Sequence, residues 1–499
     1  MKIAIDLQSC QTKSRHHGIG RYSMAIVREI IRQAGAKHEI WILLNAQLYP
    51  HTIADVESRL QDLLPAEQII AFQVPTPNDA NHAYQRRQCA AEIIREYFIE
   101  ALQPDVLYIT SLFEGLNDHA TTSIGTFSDT IPVALIQYDL IPYLQQVVYL
   151  PNDDIRYSYL KKVDALKKAD KVLAISAYAK QEVEEALDMA PQKVVNVSTA
   201  VTADFAPDDN IAQAKTIVAG FGLEAGYILY APSGFDVRKN VPGLLRAYAL
   251  LPAAVQLANP LVLLGRVTET KKNDLRVLAS GLQISGQLVF SGYVSDAQLL
   301  AFYQCAGLFV FPSFHEGFGL PALEAMTLGI PTIGARRTSL IEVIGLDAAL
   351  FDPDDTQEMA ALIEKALTNT DFRQQLIDHA GRQSQLFSWQ KSAAVALAAL
   401  EECGQAKAQQ RLAGQGGDNW GSRGNHGLEQ DKQAYQKLID ALQALQLSDQ
   451  DKLQVANSLA HNERVIRGAL RLNVLPPADA VWQIAGPFDS SYSLALLNR

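Results

Sequence analysis

Short apolar segments alternate with helical patterns along most of the chain, and this alternation limits the fold more than any other feature. In the first half the apolar segments cover residues 2–7, 38–44, 105–109, 132–139, 171–176 and 193–198. A second series covers residues 227–234, 260–265, 287–292, 308–313 and 331–335. Strands that alternate with helices form parallel sheets covered by helices on both faces. The sequence therefore predicts two consecutive α/β units, each a doubly wound sheet that binds ligands at the carboxyl ends of its strands.

Breaks in this pattern predict the domain boundaries. We predict an N-terminal Rossmann-like domain at residues 1–204 and a C-terminal Rossmann-like domain at 205–385, facing each other across a cleft. An apolar helical pattern at 386–403 predicts a closing helix. Gln, Gly, Asn and Ala dominate residues 404–428, a composition typical of a flexible linker. Helical periodicity returns and predicts a helical extension at 429–480.

The last segment, residues 481–499, repeats the order of elements seen at the start of the chain. Both segments read as a strand, a polar loop and the beginning of a helix. The fragments YSMAIVR (22–28) and YSLALLNR (492–499) are nearly the same. The repetition predicts the start of a second, related module, and an ordinary final helix is the alternative.

Composition narrows the class of partner and the compartment. The 499 residues include 43 Lys and Arg against 54 Asp and Glu, a net charge of −11, which argues against nucleic acid as a partner. The four cysteines have no paired or metal-type spacing, so we expect a reducing, cytoplasmic environment. No apolar stretch approaches the roughly 20 residues that span a bilayer. We expect at most peripheral contact, at the inner face of the cytoplasmic membrane.

The strongest chemical signal is the segment PSFHEGFGLPALEAMTLGIP (312–331), where a buried strand leads through a loop into a helix. The free amides of the first helical turn, together with the helix dipole, form an anion site. Gly317 and Gly319 let the backbone approach a phosphate closely. Seven residues separate Glu316 from Glu324, so one carboxylate lies on the loop and the other lies in the helix. Each carboxylate can accept two hydrogen bonds from a sugar diol.

This segment resembles the Glu-x7-Glu motif of retaining, GT-B-fold glycosyltransferases of family four. The resemblance implies that the hexose and diphosphate of a nucleotide sugar are bound by Glu316, Gly317, Phe318, Gly319 and Leu320. It also implies that Glu324 holds the ribose. The alternative is a simple strand-to-helix turn with two surface acids.

A second element, YAPSGFDVRKNVPGLLRAYALL (230–251), places two cations before a helix. Ser233 and Gly234 form a turn after a buried strand, and Arg238 and Lys239 follow. Two adjacent cations can neutralise the charge that develops on a departing diphosphate, which accelerates transfer. The stretch resembles the family's phosphate-binding Arg and Lys, although many relatives carry Arg directly after the turn glycine. Solvated cations at a helix start are the alternative.

The segment SRHHGIGRYSMAIVREI (14–30) is a candidate acceptor loop. Gly18 and Gly20 precede a helix, but Ser23 stands at the third glycine position, so the segment fails as a dinucleotide fingerprint. It resembles the GIGRY loop of family-four enzymes. That resemblance implies that Gly18, Gly20 and Arg21 line the cleft near the acceptor. A structural turn is the alternative.

Two further segments carry candidate site residues. In ALIQYDLIPYL (134–144), relatives often have His before Asp, with the His reaching the transferred sugar, whereas this chain has Tyr138 before Asp139. Asp139 could equally cap the following turn. The segment SGYVSDAQLLAFYQCA (291–306) resembles the region in which Tyr293 and Val294 lie against the donor base.

The resemblance covers roughly residues 1–400, with its motifs in the family's order, and it implies a metal-independent, retaining hexosyltransferase. No cofactor is expected beyond the nucleotide-diphosphate sugar itself, and the acceptor is a glycan or a lipid-linked oligosaccharide. Overall likeness favours mannosyltransferases of bacterial surface polysaccharides such as O-antigen, hence GDP-mannose. The alternatives are a two-Rossmann nucleotide-sugar epimerase and a non-catalytic sugar-nucleotide-binding module of a larger polysaccharide-synthesis protein.

Overall fold

A computed structural model describes residues 1–202, 205, 211–232, 234–414 and 426–470, and these divide into two compact units. The first unit comprises Met1–Ala174, Val183–Val197 and the described residues from Ala393 onward. The second unit comprises Ile175–Glu182 and the described residues of Ser198–Ser392. Each unit contains one parallel sheet with helices around it. The predicted fold class, two doubly wound Rossmann-like sheets with a helical C-terminal part, is therefore confirmed.

The first unit is built on a seven-stranded parallel sheet with the order β3-β2-β1-β4-β5-β6-β7. Its strands are β1 Lys2–Asp6, β2 Glu39–Asn45, β3 Ile69–Phe72, β4 Val106–Ile109, β5 Val133–Gln137, β6 Lys171–Ala174 and β7 Val194–Asn196. Most of their residues are buried, as expected for strands that are covered on both faces. Strand order reverses at β1, between β2 and β4, and such a switch point is where doubly wound sheets bind ligands.

Seven helices accompany these strands in the sequence. They are α1 Gly18–Ala34, α2 His51–Leu60, α3 Gln85–Leu102, α4 Ile141–Leu144, α5 Gln146–Tyr149, α6 Asp153–Lys167 and α7 Ala177–Leu187. The first turns of α7 are grouped with the second unit and its last turn with the first. Sequence periodicity alone could not show this division, because a pattern of apolar residues does not identify the sheet against which a helix packs.

The second unit is built on a six-stranded parallel sheet with the order β10-β9-β8-β11-β12-β13. Its strands are β8 Tyr227–Tyr230, β9 Leu261–Leu264, β10 Leu288–Gly292, β11 Ala306–Phe311, β12 Thr332–Ala335 and β13 Leu350–Phe351. The central strands β8 and β11 pair with each other, so the segments that follow them leave the same edge of the sheet. The segments that follow β8 and β11 are the two in which the sequence analysis found the strongest chemical signals.

Nine helices of the described residues accompany the second sheet. They are α8 Ile211–Ala219, α9 Val241–Ala249, α10 Ala253–Ala258, α11 Glu269–Gly281, α12 Asp296–Gln304, α13 Leu320–Thr327, α14 Leu340–Ile344, α15 Thr356–Thr368 and α16 Thr370–Ser384. Three more follow: α17 Trp389–Gly414, α18 His426–Ala444 and α19 Asp449–Ala469. Among the helices of the described ranges, none has both the length and the apolar character that crossing a membrane requires.

The domain boundaries differ in three places from the predicted ones. The N-terminal part of the first unit ends at Val197 rather than at residue 204. Helix α17 passes from the second unit to the first at Ala393. The linker predicted from residue 404 is wrong at its start, because α17 continues to Gly414. Gln, Ala, Lys and Arg in this stretch favour helix. Residues 415–425 of the predicted linker, and residues 481–499 with the predicted second module, lie outside the described residues.

The helical extension covers the edge strand of the first sheet. Helix α19 packs on α3 and β3, and α18 packs on α3. The side-chain amide of Asn462 accepts from the Gln73 N–H at 2.7 Å and donates to the Gln73 carbonyl at 2.9 Å. Gln454 Oε1 accepts from the Thr76 N–H at 2.8 Å. These side chains bind the backbone directly after β3, and α19 itself covers this edge strand, which would otherwise be open to another chain.

Replacing Asn462 with Ala is expected to destabilise the first unit. The substitution leaves the half-buried Gln73 N–H and carbonyl without their partner, at a cost of about 1 kcal/mol or more. The measurement is the midpoint of thermal unfolding. Asn457→Ala is the matched control, because Asn457 lies exposed on the same helix. Equal midpoints for the two variants would contradict the edge-covering role.

Candidate active site

The loop at residues 312–319 connects β11 to α13 and is held in an unusual backbone conformation at its end. Gly319 precedes the first residue of α13 and has φ +97°, which side-chain-bearing residues rarely adopt. A Cβ at this position would lie 2.5 Å from Leu340 Cδ2 and 3.3 Å from Phe311 Cε1. The sequence suggested that glycine here gives room to a phosphate. The structure shows that backbone conformation and close packing already require it.

The carbonyl groups of this loop accept hydrogen bonds from serine side chains, whereas three consecutive amide groups of the loop have no acceptor in the described part of the chain. The Ser339 hydroxyl lies 2.9 Å from the carbonyl oxygens of both Glu316 and Phe318, and the Ser176 hydroxyl donates to the Gly317 carbonyl at 2.7 Å. Within the described part of the chain, no acceptor takes the amide N–H groups of Gly317, Phe318 and Gly319. Consecutive open amides before a helix form a site for an anion.

Glu316, Arg238 and Lys239 form one ion-paired group, which we call the Glu316 cluster. Lys239 Nζ lies 2.6 Å from Glu316 Oε1, and Arg238 Nη1 lies 3.0 Å from Glu316 Oε2. Lys239 is only 1% exposed and Glu316 only 7% exposed. The sequence predicted all three residues for the site but gave no indication that the carboxylate pairs directly with both cations.

Backbone contacts fix the two cations beside the loop. Arg238 and Lys239 lie in a 3-10 turn, Val237–Lys239, and the Asp236 carboxylate accepts from the Arg238 N–H at 3.2 Å. The Arg238 carbonyl accepts from the Phe314 N–H at 2.8 Å, which ties this turn to the 312–319 loop. The buried Tyr230 hydroxyl donates to the Lys239 carbonyl at 2.8 Å. These backbone hydrogen bonds therefore fix the position of Arg238 and Lys239 relative to the 312–319 loop.

The electrostatics of the Glu316 cluster favour the ionised carboxylate. Burial raises the pKa of Glu316, because it penalises the charged form, but the charges of Lys239 and Arg238 outweigh that effect. The pKa of Glu316 therefore lies below its usual value. At neutral pH the cluster thus holds one carboxylate between two cations. Arg238 also pairs with a second carboxylate, Asp236, whose Oδ1 lies 3.3 Å from Arg238 Nε. Both cations and the open amides are N–H donors that an incoming diphosphate can accept from.

Glu324 lies in α13 and is oriented by a residue that sequence reasoning missed. The hydroxyl of Tyr303, on α12, donates to Glu324 Oε2 at 2.8 Å. Tyr303 is fully buried and its ring stacks on Phe309. Burial and the nearby Glu324 carboxylate raise the pKa of Tyr303 well above its usual value, so the hydroxyl keeps its proton and remains a donor.

The remaining residues predicted for the donor site differ in how far they are buried or exposed. Phe318 is buried against Phe387, with ring centroids 5.5 Å apart, so only its backbone is available to a ligand. Leu320 is the first residue of α13. Tyr293 follows β10 and is 73% exposed, and Val294 comes next in the chain. Gly234 follows β8, and a Cβ there would lie 3.7 Å from Asp236 Oδ2, an ordinary contact. Ser233 lies outside the described residues.

In the candidate acceptor loop of the first unit, close packing requires a glycine at position 20. Gly18 is the exposed first residue of α1, and Arg21 is exposed one turn later. A Cβ on the buried Gly20 would lie 2.4 Å from Arg15 Cα and 2.6 Å from Ser14 O. Gly20 is therefore required for contact between α1 and the preceding turn. Roles for the three residues toward an acceptor stay predictions.

Tyr138 and Asp139 make local contacts in the first unit. The Tyr138 hydroxyl lies 3.1 Å from Ser23 Oγ and donates to the Thr110 carbonyl at 3.0 Å. Burial raises the pKa of Tyr138 well above its usual value. Asp139 Oδ1 accepts from the Ile141 N–H at 3.1 Å, which is the capping role that the sequence left open. The hydroxyl of Tyr138 thus links β5 to α1, and a contact with sugar stays a prediction.

Several residues that position the 312–319 loop were not predicted. Thr338 and Ser339 contact it from the start of α14, with Thr338 Oγ1 accepting from the Glu316 N–H at 3.2 Å. Glu342 accepts from the N–H groups of Ala177 and Tyr178 at 3.0 and 2.9 Å, which holds the first turn of α7 and Ser176 near the loop. Single polar residues carry no periodic signal, so only the folded chain reveals these contacts.

Comparison with known protein families decides the class. Residues 220–383, which include the Glu316 cluster, the 312–319 loop and Glu324, match the family model described as glycosyl transferases group 1. This part of the chain is a group 1 glycosyltransferase domain. The resemblance drawn from the Glu316 segment and the order of motifs is thereby confirmed at the level of the family.

Curated relatives of this glycosyltransferase include mannosyltransferases. The chain is 38% identical to the serotype-specific mannosyltransferase WbdA of Escherichia coli over 467 residues, or 93% of this chain and 53% of WbdA. It is 32% identical to the O-antigen chain mannosyltransferase B of Escherichia coli over 48% of this chain and 63% of that protein. The chain thus spans about half the length of WbdA.

Solved structures agree on the fold. The chain resembles HepE from Anabaena, solved with UDP and glucose, with a TM-score of 0.57, 16% identity, and coverage of 83% of this chain and 100% of HepE. At this identity the likeness shows the fold alone. Together with the two parallel sheets, it confirms the predicted GT-B class for this glycosyltransferase.

Proposed function

We propose that this chain is a retaining hexosyltransferase that moves mannose from GDP-mannose to a glycan or lipid-linked acceptor. The observation that carries the proposal is the pairing of open amides at Gly317–Gly319 with the cations Arg238 and Lys239 in one unit. Mannose is favoured because WbdA and the O-antigen chain mannosyltransferase B are named for mannosyl transfer. The epimerase alternative has no comparable support among these relatives.

The proposed step breaks one bond and forms another at the anomeric carbon. The bond from C1 to the β-phosphate oxygen breaks, and its electron pair stays with the nucleoside diphosphate. An acceptor hydroxyl oxygen bonds to C1 on the same face, and its proton leaves with the diphosphate. Lys239, Arg238 and the loop amides stabilise the negative charge that develops on the leaving oxygen, an effect that lowers the barrier. Glu316 orients the sugar, and Glu324 binds the ribose.

Retention, metal independence, acceptor contacts and location stay predictions. We propose that the reaction needs no metal and that the acceptor meets Gly18, Gly20 and Arg21. We also propose a cytoplasmic location and that the chain is one module of a longer protein. Transfer rates before and after extensive treatment with a chelator test the metal prediction. The anomeric configuration of the product, read by NMR, tests retention.

A titration of nucleotides tests the donor site. Isothermal calorimetry with GDP, UDP, ADP and TDP is expected to show saturable binding for the full chain. Binding should depend on Lys239, so Lys239→Met should weaken every diphosphate that binds. An absence of binding by all four, or equal affinity in the variant, would contradict the proposal.

Tyr303→Phe is expected to raise the KM for the donor while leaving kcat nearly unchanged. The substitution removes only the hydroxyl that donates to Glu324, and a hydrogen bond to a charged group is worth enough to raise KM about tenfold. Because ribose contacts stabilise ground and transition states alike, their loss appears in KM. Steady-state kinetics at varied donor concentration make the measurement.

Tyr248→Phe is the matched control for this prediction. Tyr248 is also buried in the second unit, but its hydroxyl lies 3.0 and 3.1 Å from the backbone carbonyl oxygens of Gln256 and Asn259 and donates to these carbonyls and not to a carboxylate. That variant should lose stability without a change in donor KM. If Tyr303→Phe behaved in the same way as this control, Tyr303 would be a structural residue only.

A further inference from the structure

An exposed arginine and an exposed tyrosine lie against each other at the carboxyl edge of the second sheet. The guanidinium of Arg266 lies 5.1 Å from the centroid of the Tyr293 ring, a cation–π contact. Tyr293 is 73% exposed, which is high for so large a ring. Apart from this ring contact, the Arg266 guanidinium makes no hydrogen bond or ion pair with any residue in the described ranges. Its N–H donors are therefore open to a ligand.

The two residues are brought together by the ends of adjacent strands. Arg266 comes two residues after β9, and Tyr293 directly follows β10. Gly265 and Gly292 form an isolated bridge, and both have positive φ, +129° and +70°. The Gly265 N–H also donates to Ser291 Oγ at 3.1 Å. The pair thus has a defined backbone geometry.

The same edge carries the loop that leads to Arg238 and Lys239. A Cβ on Gly265 would lie 3.4 Å from Pro232 O and 3.8 Å from Phe235 Cε2, so the end of β9 contacts the segment after β8. Neighbouring strands lie about 4.8 Å apart, so the ends of β9 and β10 lie about one and two strand spacings from that segment. A nucleoside whose diphosphate contacts Arg238 and Lys239 can place its base at Arg266.

We propose that Arg266 recognises the base of the donor and selects guanine, with Tyr293 holding the guanidinium in place. This inference rests on the proposed function and adds the residue that sets base specificity. Arg presents several N–H donors in a fixed fork and no acceptor. Guanine offers two adjacent acceptors, O6 and N7, which this fork matches with two hydrogen bonds. Adenine replaces O6 by an amino donor, and uracil and thymine have no N7 beside their O4.

The test is calorimetric titration of the full chain with GDP, UDP, ADP and TDP, in the wild type and in three variants. We expect GDP to bind most tightly to the wild type. Arg266→Ala should weaken GDP by about 5- to 150-fold, the value of one good bidentate contact, and leave the other three affinities unchanged. Arg266→Lys should also lose the preference, because an ammonium cannot make the same two-point contact.

Arg276→Ala is the matched control. Arg276 is an exposed arginine on α11 whose guanidinium lies 5.9 Å from the Phe290 ring, but it belongs to a helix rather than to the carboxyl edge of the sheet. This variant should bind all four nucleotides as the wild type does. If Arg276→Ala lost GDP preference as strongly as Arg266→Ala, the assignment to Arg266 would be overturned.

The failures of the two proposals give different results. If the four diphosphates bind and depend on Lys239, but Arg266→Ala weakens all of them equally or none of them, only the base assignment is overturned. A wild-type preference for UDP, ADP or TDP has the same consequence. If none of the four binds, both proposals fall.

Discussion

Lys239→Met is expected to lower the rate of sugar transfer by about 100- to 1,000-fold, the cost of removing one preorganised group that stabilises transition-state charge. Met keeps much of the volume of Lys but cannot neutralise a departing diphosphate. The Lys239 ammonium is also the closest partner of Glu316, at 2.6 Å, so the variant disturbs the orientation of that carboxylate as well. The measurement is kcat with saturating donor and acceptor.

The same substitution is expected to lower stability, since it leaves a buried carboxylate without its nearest cation. Breaking a buried pair costs about 3–5 kcal/mol, and Arg238 offsets part of that cost here. The double variant Glu316→Gln/Lys239→Met removes both charges and should regain much of the lost stability. It should not regain activity. A stable double variant with wild-type turnover would show that the Glu316 cluster has no catalytic role.

Lys162→Met is the control for burying a lysine elsewhere. Lys162 is 8% exposed and donates to the Thr122 carbonyl and hydroxyl at 3.1 and 2.5 Å in the first unit. Its replacement should lower stability but leave the affinity for nucleoside diphosphates unchanged. If both lysine variants changed that affinity alike, the effect of Lys239 would reflect general destabilisation.

Gly319→Ala is expected to reduce transfer by about 100-fold, the effect of moving catalytic groups by roughly 1 Å. The new Cβ would lie 2.5 Å from Leu340 Cδ2 and would hold φ +97° against its preference. The loop must shift, and the open amides of Gly317 and Phe318 shift with it. Backbone strain of this kind costs about 1–3 kcal/mol of stability. Turnover and thermal unfolding are measured on the same samples.

Gly281→Ala serves as the control for this substitution. Gly281 is the last residue of α11, and a Cβ there meets no heavy atom within 4 Å. We expect its activity and stability to match those of the wild type. Wild-type turnover by Gly319→Ala would contradict the requirement for glycine before α13.

Local sequence order was enough to predict the fold and much of the site. Buried parallel strands read as continuous apolar runs, so most strands of both sheets could be placed from the sequence. The short edge strands β3 and β13 were missed. Glu316, Gly319 and Glu324 lie close together in the sequence, and a strand, loop and helix in succession fix their relative positions. The same holds for Arg238 and Lys239, which follow β8 directly.

Contacts between distant segments could not be predicted in this way. The pairing of Lys239 with Glu316 joins residues 77 positions apart, and Tyr303 reaches Glu324 from a different helix. The packing around Gly404 could not be predicted from the sequence either. Its surroundings read as linker by composition, yet a Cβ on Gly404 would lie 2.3 Å from Met1 Cε, because α17 packs there in the first unit. Composition reports residue types and carries no information on such packing.

The most direct measurement is a crystal structure of the chain with bound GDP. The account predicts β-phosphate oxygens about 2.7–3.2 Å from the amide nitrogens of Gly317–Gly319 and from the side chains of Arg238 or Lys239. Bound GDP whose phosphates lie away from these amides and cations would contradict the central claim.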